Sequence, residues 1–274
     1  MRTMNGDSTE LPTLTTADGL AIHYLNKPET EFVYKEIFEE RVYFRHGITL
    51  GETDCVFDVG ANIGLFSMFI KENFRKSRVF AFEPAPKVFN ILQTNVARYG
   101  GDVVCCPWGI SATARQAVFT YYPGYSILSG FHAREGQDMQ TLKVGILNQW
   151  RERFPERDDM DEQLLEALAQ EALTGKAEYL CKMRTLSEII HEAEVEEIGL
   201  LKVDAEGSEL DVLLGIADSD WGKIRQVAME VHDPEGTVAR QIGAMLRERK
   251  FAFVFEEERR LQGSGILNCY ARRP

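Results

Sequence analysis

The chain alternates between short apolar runs and longer stretches whose apolar positions recur every three or four residues. CVFDVG (55–60), RVFAFEP (78–84) and DVVCCPWGI (102–110) are near-continuous runs, as expected of strands covered on both faces. Between them, IGLFSMFIKENF (63–74) and KVFNILQTNVARYG (87–100) carry helical spacing, the second stopped by Gly100 and Gly101. Further on, TLSEIIHEAEV, IGLLKVDAEG, SELDVLLGI, RQVAMEVHD (225–233) and TVARQIGAMLRERK alternate helix with strand. AFVFEEE and ILNCYAR then form a closing antiparallel pair. The pattern predicts an α/β fold with a seven-stranded, mostly parallel sheet and helices on both faces.

Three stretches stand outside this alternation. Residues 1–16 are polar and are expected to fray, and EFVYKEIFEE (31–40) reads as a helix with Phe32, Val33, Ile37 and Phe38 on one side. That helix fits either a lid over a ligand or a helix on the back of the sheet. QAVFTYYP (116–123) reads as an extra strand, followed by the loop GYSILSGFH. Residues 133–180 are charge-rich, with helices expected around LKVGILNQWRERF and DEQLLEALAQEAL, a length too great for a structureless loop. The reading is a single domain over 1–274. It has an N-terminal helical cap (14–53), a cofactor-binding half of the core (54–120), a hairpin and helical insertion (121–183) and a catalytic half with the terminal strands (184–274).

Charge and cysteines narrow the partners. Lys+Arg 31 against Asp+Glu 43 gives −12 over 274 residues, which repels phosphate backbones and argues against a nucleic-acid partner. No apolar run reaches membrane-spanning length and the start lacks a secretory apolar region, so a cytoplasmic chain is expected. Cys55, Cys105, Cys106, Cys181 and Cys269 are odd in number and show no Cys-x-x-Cys spacing, so they read as small buried hydrophobes.

The densest chemistry begins at Phe57-Asp58-Val59-Gly60-Ala61-Asn62-Ile63-Gly64, between a strand and a helix, where a doubly wound sheet binds nucleotides. A dinucleotide fingerprint needs a glycine where Asn62 stands, because the pyrophosphate approaches the backbone there. The pattern suits a ligand without phosphates between adenosine and its tail, such as S-adenosylmethionine. Glu83, ending the second strand, is placed to accept both ribose hydroxyls. Trp108 and Gly109, ending the third, are candidates to stack on and admit the adenine.

A second cluster, Lys202-Val203-Asp204-Ala205-Glu206-Gly207-Ser208-Glu209, closes the next strand. Asp204 and Glu206 share a face while the strand lasts, and could bind the methionine ammonium, hold a cation or remove a proton. His232, ending Glu230-Val231-His232-Asp233, is the preferred base for a hydroxyl acceptor, with Glu206 or Asp204 orienting it or sharing the task. Lys202 is expected to pair with a neighbouring carboxylate. A divalent metal is possible on Asp204, Glu206, Glu230 and His232, but no fixed-spacing metal motif predicts one. His132, after the Ser126–Gly130 loop, is a further residue to follow.

Taken together, FDVGANIG, FEPAP, LLKVDAEGSELDVL and AMEVHD resemble the FkbM-type family of methyltransferases dependent on S-adenosylmethionine. The segments 27–50 and 119–132 are similar to members associated with polyketide and nonribosomal-peptide biosynthesis. The closing strand pair also suits the class I methyltransferase (Rossmann-like) sheet better than a dehydrogenase. The resemblance implies O-methylation of a hydroxyl on a small-molecule or acyl-carrier-protein-bound intermediate. It implies a cofactor site of Asp58, Gly60, Asn62, Gly64 and Glu83, with Tyr34 contributed by a cap helix. Asp204, Glu206 and His232 would line the methyl-transfer site. A free sugar or small metabolite as acceptor, or a docking module without catalysis, are the alternatives.

Overall fold

The computed structural model describes residues 11–124, 126–132, 135–154, 156, 160–233, 235–257 and 262–273. A hairpin, β1 (Thr13–Thr15) and β2 (Ala21–His23), leads into α1 (Lys27–Tyr34). Asn26 caps α1 by accepting the Glu29 amide, and Pro28 sits in its first turn, where no N–H is needed. A π-helical turn, Lys35–Glu39, and a 3-10 turn, Val42–Phe44, complete the cap. The core opens with β3 (Cys55–Val59), α2 (Leu65–Asn73), β4 (Arg78–Phe82), α3 (Pro86–Val96) and β5 (Val103–Cys106). Next come β6 (Gly109–Ile110), β7 (Arg115–Tyr121), α4 (Glu135–Arg153), α5 (Glu162–Ala172) and β8 (Ala177–Arg184). The alternation resumes with α6 (Leu186–Glu192), β9 (Leu200–Val203), α7 (Glu209–Leu214), α8 (Asp218–Trp221) and β10 (Gln226–His232), and α9 (Val238–Glu248), β11 (Ala252–Glu256) and β12 (Ile266–Arg272) end the chain.

Seven strands form one sheet in the order β11-β12-β10-β9-β3-β4-β5. Neighbours from β5 to β10 are parallel, and β12 runs antiparallel between β10 and β11. This is the class I methyltransferase sheet that the strand pattern predicts. Both faces are covered: Val56 of β3 packs into one buried cluster and Phe57 and Val59 into the other. The chain runs outward from β3 to β4 and β5, then returns to β9 on the other side of β3. The reversal opens a crevice at the carboxyl ends of β3 and β9, where such sheets bind ligands.

A second sheet, in the order β6-β8-β7, differs from the expected layout. The run 102–110 is not one strand, because β5 ends at Cys106 and Gly109–Ile110 turns away to pair with β8. Residues 177–184 form β8, within and just beyond a stretch read only as a helical insertion. Its outward positions Glu178, Leu180 and Lys182 hid the alternation with Tyr179, Cys181 and Met183. Thr13–Thr15, expected to fray, pairs with β2, while residues 1–10 lie outside the described residues. The cap helix starts at Lys27, four residues before the expected stretch.

Candidate active site

The ends of β3, β4, β9 and β10 surround a cavity of about 1700 Å³, its solvent mouth included, roofed by α1 and by the loop after β7. Gly60, Asn62, Glu83, Trp108 and Gly109 all lie on its wall, as do Asp204, Glu206 and His232. The two expected sites are therefore parts of one cavity.

Gly60 has φ +73°, and a Cβ on it would lie 1.7 Å from the Asp204 carbonyl oxygen. The glycine is needed because the ends of β3 and β9 touch there, a closer constraint than the expected approach of a ligand. Gly64 and Asp58 are not on the cavity wall, contrary to a direct binding role. Gly64 lets α2 pack against Leu92 of α3. Asp58 is fully buried, accepts Ser67 Oγ at 2.7 Å and faces Lys202 Nζ at 3.3 Å. The pair follows from the parallel register, which sets Asp58 beside Lys202. Lys202 also donates to the Gly60 carbonyl at 2.8 Å and lies 3.6 Å from Asp204 Oδ2. Burial opposes its charge, but Asp58 and Asp204 outweigh burial and hold its pKa above the ordinary lysine value.

Glu83 bridges the cofactor-side loops, with Oε2 accepting the Asn62 amide at 3.1 Å and Oε1 the Ala85 amide at 2.8 Å. Burial pushes its carboxyl up to about 7 despite those hydrogen bonds. Trp108 carries the Arg184 guanidinium 4.7 Å from its ring centroid. Gly109 is required by packing, since a Cβ would meet Met183 and Phe131.

On the opposite side His232 lies between two carboxylates. Nε2 is 3.0 Å from Glu206 Oε2 and Nδ1 is 3.1 Å from Glu209 Oε1. Glu230 is 3.5 Å from Nε2. Burial works against the imidazolium, but Glu206 and Glu209 prevail and raise its pKa well above 6.5. His232 is the base expected from the sequence, with Glu206 or Asp204 orienting it or sharing the task; carboxylates at both ring nitrogens favour its imidazolium and make Glu206, its partner on the wall, the better-placed proton acceptor. Burial raises Glu206 to about 7, and burial together with Asp204 raises Glu230 well above its ordinary value. Asp204 accepts the Tyr43 hydroxyl at 3.0 Å through Oδ2, while its buried Oδ1 has no hydrogen-bond partner.

The cap closes on the cavity, but not through Tyr34. That residue is absent from the wall and stacks on Phe38 at 4.5 Å, because Glu29 and Val33 occupy the inward helical face. Glu29 accepts both the amide and the hydroxyl of Ser126, Asn26 donates to the Gly124 carbonyl, and Asn62 Nδ2 lies 3.5 Å from Ser126 Oγ. Ser126 thus joins cap, cofactor loop and roof. His132 is exposed, pairs with Asp211 at 3.3 Å and does not reach the wall. Among the described residues, no group of three or more His, Cys, Asp or Glu is arranged to hold a metal ion, and no helix is long and apolar enough to cross a membrane.

Sequence reasoning missed Tyr43, Glu29, Ser126 and Ser208 as site residues. Tyr43 lies 161 positions from its partner Asp204, so no local signal marks it. Ser208 and Glu209 lie within the acidic run 202–209, whose sequence marks them only as neighbours of Asp204 and Glu206.

The cavity fits S-adenosylmethionine. A buried carboxylate ends β4, Gly109 and Trp108 line the β5 side, and the unpartnered Asp204 Oδ1 offers an acceptor for an ammonium group. Comparison with known proteins agrees. A model described as "Methyltransferase FkbM domain" matches residues 58–255. The 31-O-demethyl-FK506 methyltransferase FkbM of Streptomyces tacrolimicus is 38% identical over 263 residues, covering 95% of this chain and 96% of that protein. The AMB antimetabolite synthetase AmbE of Pseudomonas aeruginosa is 40% identical over 258 residues, covering 91% of this chain. The chain spans only 12% of AmbE's length. The crystal structure of methyltransferase FkbM from Methylobacillus flagellatus shares the fold, with TM-score 0.50 and 16% identity over 84% of this chain and 46% of that one.

Proposed function

The chain belongs to the FkbM-domain methyltransferases, and from that premise we propose that it is an O-methyltransferase using S-adenosylmethionine. Its acceptor is a hydroxyl on a polyketide or peptide intermediate, presented as a small molecule or on an acyl-carrier protein. The support is twofold. One relative's name describes methylation at an oxygen of FK506, and another is a synthetase in which the matching segment is a small part.

Glu83 would hold the ribose hydroxyls, Gly60 and Asn62 the adjoining backbone, Trp108 and Gly109 the adenine, and Asp204 Oδ1 the methionine ammonium. S-adenosylmethionine, when bound, supplies an electrophilic methyl group. A hydroxyl acceptor must shed its proton as its oxygen gains a bond. The single observation that carries the oxygen chemistry is the Glu206–His232 pair on the wall of the same cavity. Glu206, raised to about 7, is tuned to take that proton near neutral pH. His232, held as an imidazolium by Glu206 and Glu209, orients the carboxylate and balances its charge. Holding the acceptor in line supplies much of the rate, up to about 7–11 kcal/mol in well-oriented systems. The cap and roof joined at Ser126 exclude water while this happens.

The test is intact mass spectrometry of a 3-hydroxyacyl carrier protein, and of the same acyl group as a small thioester, each incubated with the chain and S-adenosylmethionine. A gain of one methylene unit on either substrate supports O-methylation, and a gain on the carrier alone makes docking part of the mechanism. No gain on either, from protein that binds the cofactor, rejects this acceptor class in favour of sugars or small metabolites.

A further inference from the structure

Among the described residues, the insertion helix α4 reaches the cavity wall at Leu142 and Gly145, a spacing that puts both on one helical face. On another side of the helix, Lys143 pairs with Glu166 of α5. Beyond Gly145, Asn148 Nδ2 donates to the Gln262 carbonyl at 3.3 Å. Gln262 precedes β12, whose first residue, Ile266, is paired with His232 and shares the cavity wall with it. These links tie α4 to the acceptor side of the site. The roof meets the same side: Leu128 lines the cavity, and Gly130 packs so closely that a Cβ on it would lie 2.9 Å from the Glu206 carbonyl oxygen. Leu128, Leu142 and Ile266 therefore give the cavity an apolar wall beside the Glu206–His232 pair.

Gly145 has no structural reason to be glycine. It lies within a helix of 19 residues, where glycine is the poorest choice after proline. Its φ is not positive, and a Cβ built on it meets nothing within 4 Å. Gly60, Gly64 and Gly109 differ, because a neighbouring atom stands where each would carry its Cβ. A helix shows bare backbone only where a side chain is missing, so at Gly145 the backbone itself is the wall. The missing side chain leaves free space there.

We infer that the acceptor carries an apolar chain beside the hydroxyl that is methylated, and that this chain lies along α4 in the space kept open by Gly145. The inference rests on the methyl-transfer reading for the hydroxyl but concerns binding alone. A hydrocarbon chain buries its surface against Leu128, Leu142 and Ile266 at no cost in unpaired polar groups. The amide-bearing arm of a carrier protein would find no polar side chain on the α4 face of the wall, so the carrier end of a tethered acceptor leaves by another part of the cavity. Gly145 thereby sets the size of the acceptor that fits.

Two probes with the same reacting hydroxyl test this, the N-acetylcysteamine thioesters of 3-hydroxybutanoate and 3-hydroxyoctanoate. Each is titrated by calorimetry into the chain saturated with S-adenosylhomocysteine, and separately scored for methyl gain by mass. A fully buried methylene is worth about fourfold in affinity. Burial of half the octanoyl extension should therefore make that probe about tenfold tighter than the butanoyl one. Gly145→Phe is expected to remove most of this step while leaving affinity for S-adenosylhomocysteine unchanged. Gly145→Ala, with nothing to clash against, is expected to raise Tm, which shows that the glycine is not kept for stability. Equal affinity of the two probes for the unmodified chain, or no binding of the octanoyl probe, overturns the inference without reference to any variant. A step that survives in Gly145→Phe, or a loss of cofactor affinity in its place, overturns the assignment to α4. A chain-length step without methyl gain would reject the O-methylation reading for this acceptor class and leave the apolar subsite standing. Methyl gain on both probes at equal affinity would do the reverse.

Discussion

Glu206 sits with φ +47°, a left-handed conformation uncommon for a glutamate, at the turn that carries it from the end of β9 onto the cavity wall. Its neighbours decide its chemistry: burial raises the carboxyl while His232 restrains the rise, leaving it at about 7. A base with that value is ready above about pH 7 and blocked below it, so the rate of methyl transfer should climb through neutrality. Glu206→Gln should lower kcat by roughly 10²–10⁴ and abolish that climb, with affinity for S-adenosylmethionine little changed. Initial rates across the pH range, with calorimetry of the cofactor, check this. A variant that keeps the wild-type pH profile would show that the proton goes elsewhere. Gly60 makes the opposite kind of demand, since no side chain fits between it and the Asp204 carbonyl. Gly60→Ala should cost roughly 1–3 kcal/mol for its positive φ alone, with the clash adding to that. The loss should appear as a large fall in Tm, whereas Gly207→Ala, at φ +87° with open space around it, should lose only the smaller part.

At the scale of elements, the cap is held by a few polar links. Asn26 and Glu29 bind residues 124 and 126, and Asn62 meets the same serine from the cofactor loop. Glu29→Ala should therefore loosen two distant segments at once. Hydrogen exchange should quicken in α1 and in 124–128 together, while β3 and β9 stay protected, and the acceptor KM should rise. Quickening of α1 alone would separate the cap from the roof. These links also mark the limit of what the sequence makes legible. Strands β3, β4, β9 and β10 announce themselves, because burial on both faces demands unbroken apolar runs, and their end residues Gly60, Glu83, Glu206 and His232 follow by position. Strand β8 does not, because Glu178, Leu180 and Lys182 face outward and break the run. Tyr34, which the resemblance places at the cofactor, lies off the cavity wall because Glu29 and Val33 take the inward face of α1, a phase set by packing that the chain's own pattern does not state. Tyr43 and Ser126 reach the site only through contacts made by folding.

For the whole molecule, the buried acid cluster and the net charge act on stability in the same direction. Glu83, Glu206 and Glu230 have folded-state pKa values above the ordinary 4.5, so between about pH 4.5 and 7 the native state holds more protons than the unfolded chain. Stability must then fall as pH rises through that window. His232 adds to it: its raised value contributes stability fully below about 6.5, and that contribution is lost as pH climbs through the folded value. The charge of −12 brings growing self-repulsion as pH moves up from a pI near 5.0. The ligand-free chain should accordingly melt at a higher temperature at pH 6 than at pH 8. Salt separates the two causes, because surface repulsion is screened at high ionic strength while buried groups are screened far less. In about 1 M salt, where the Debye length is about 3 Å, the difference between pH 6 and pH 8 should shrink but persist. Glu230→Gln should reduce what remains and raise Tm at pH 8, since an amide has no proton to lose. If high salt abolishes the difference in the unmodified chain, surface charge alone sets it, and the buried carboxylates ionise without penalty. Glu206 would then be an ordinary carboxylate, and the rate profile argued for it would shift to lower pH along with the stability curve.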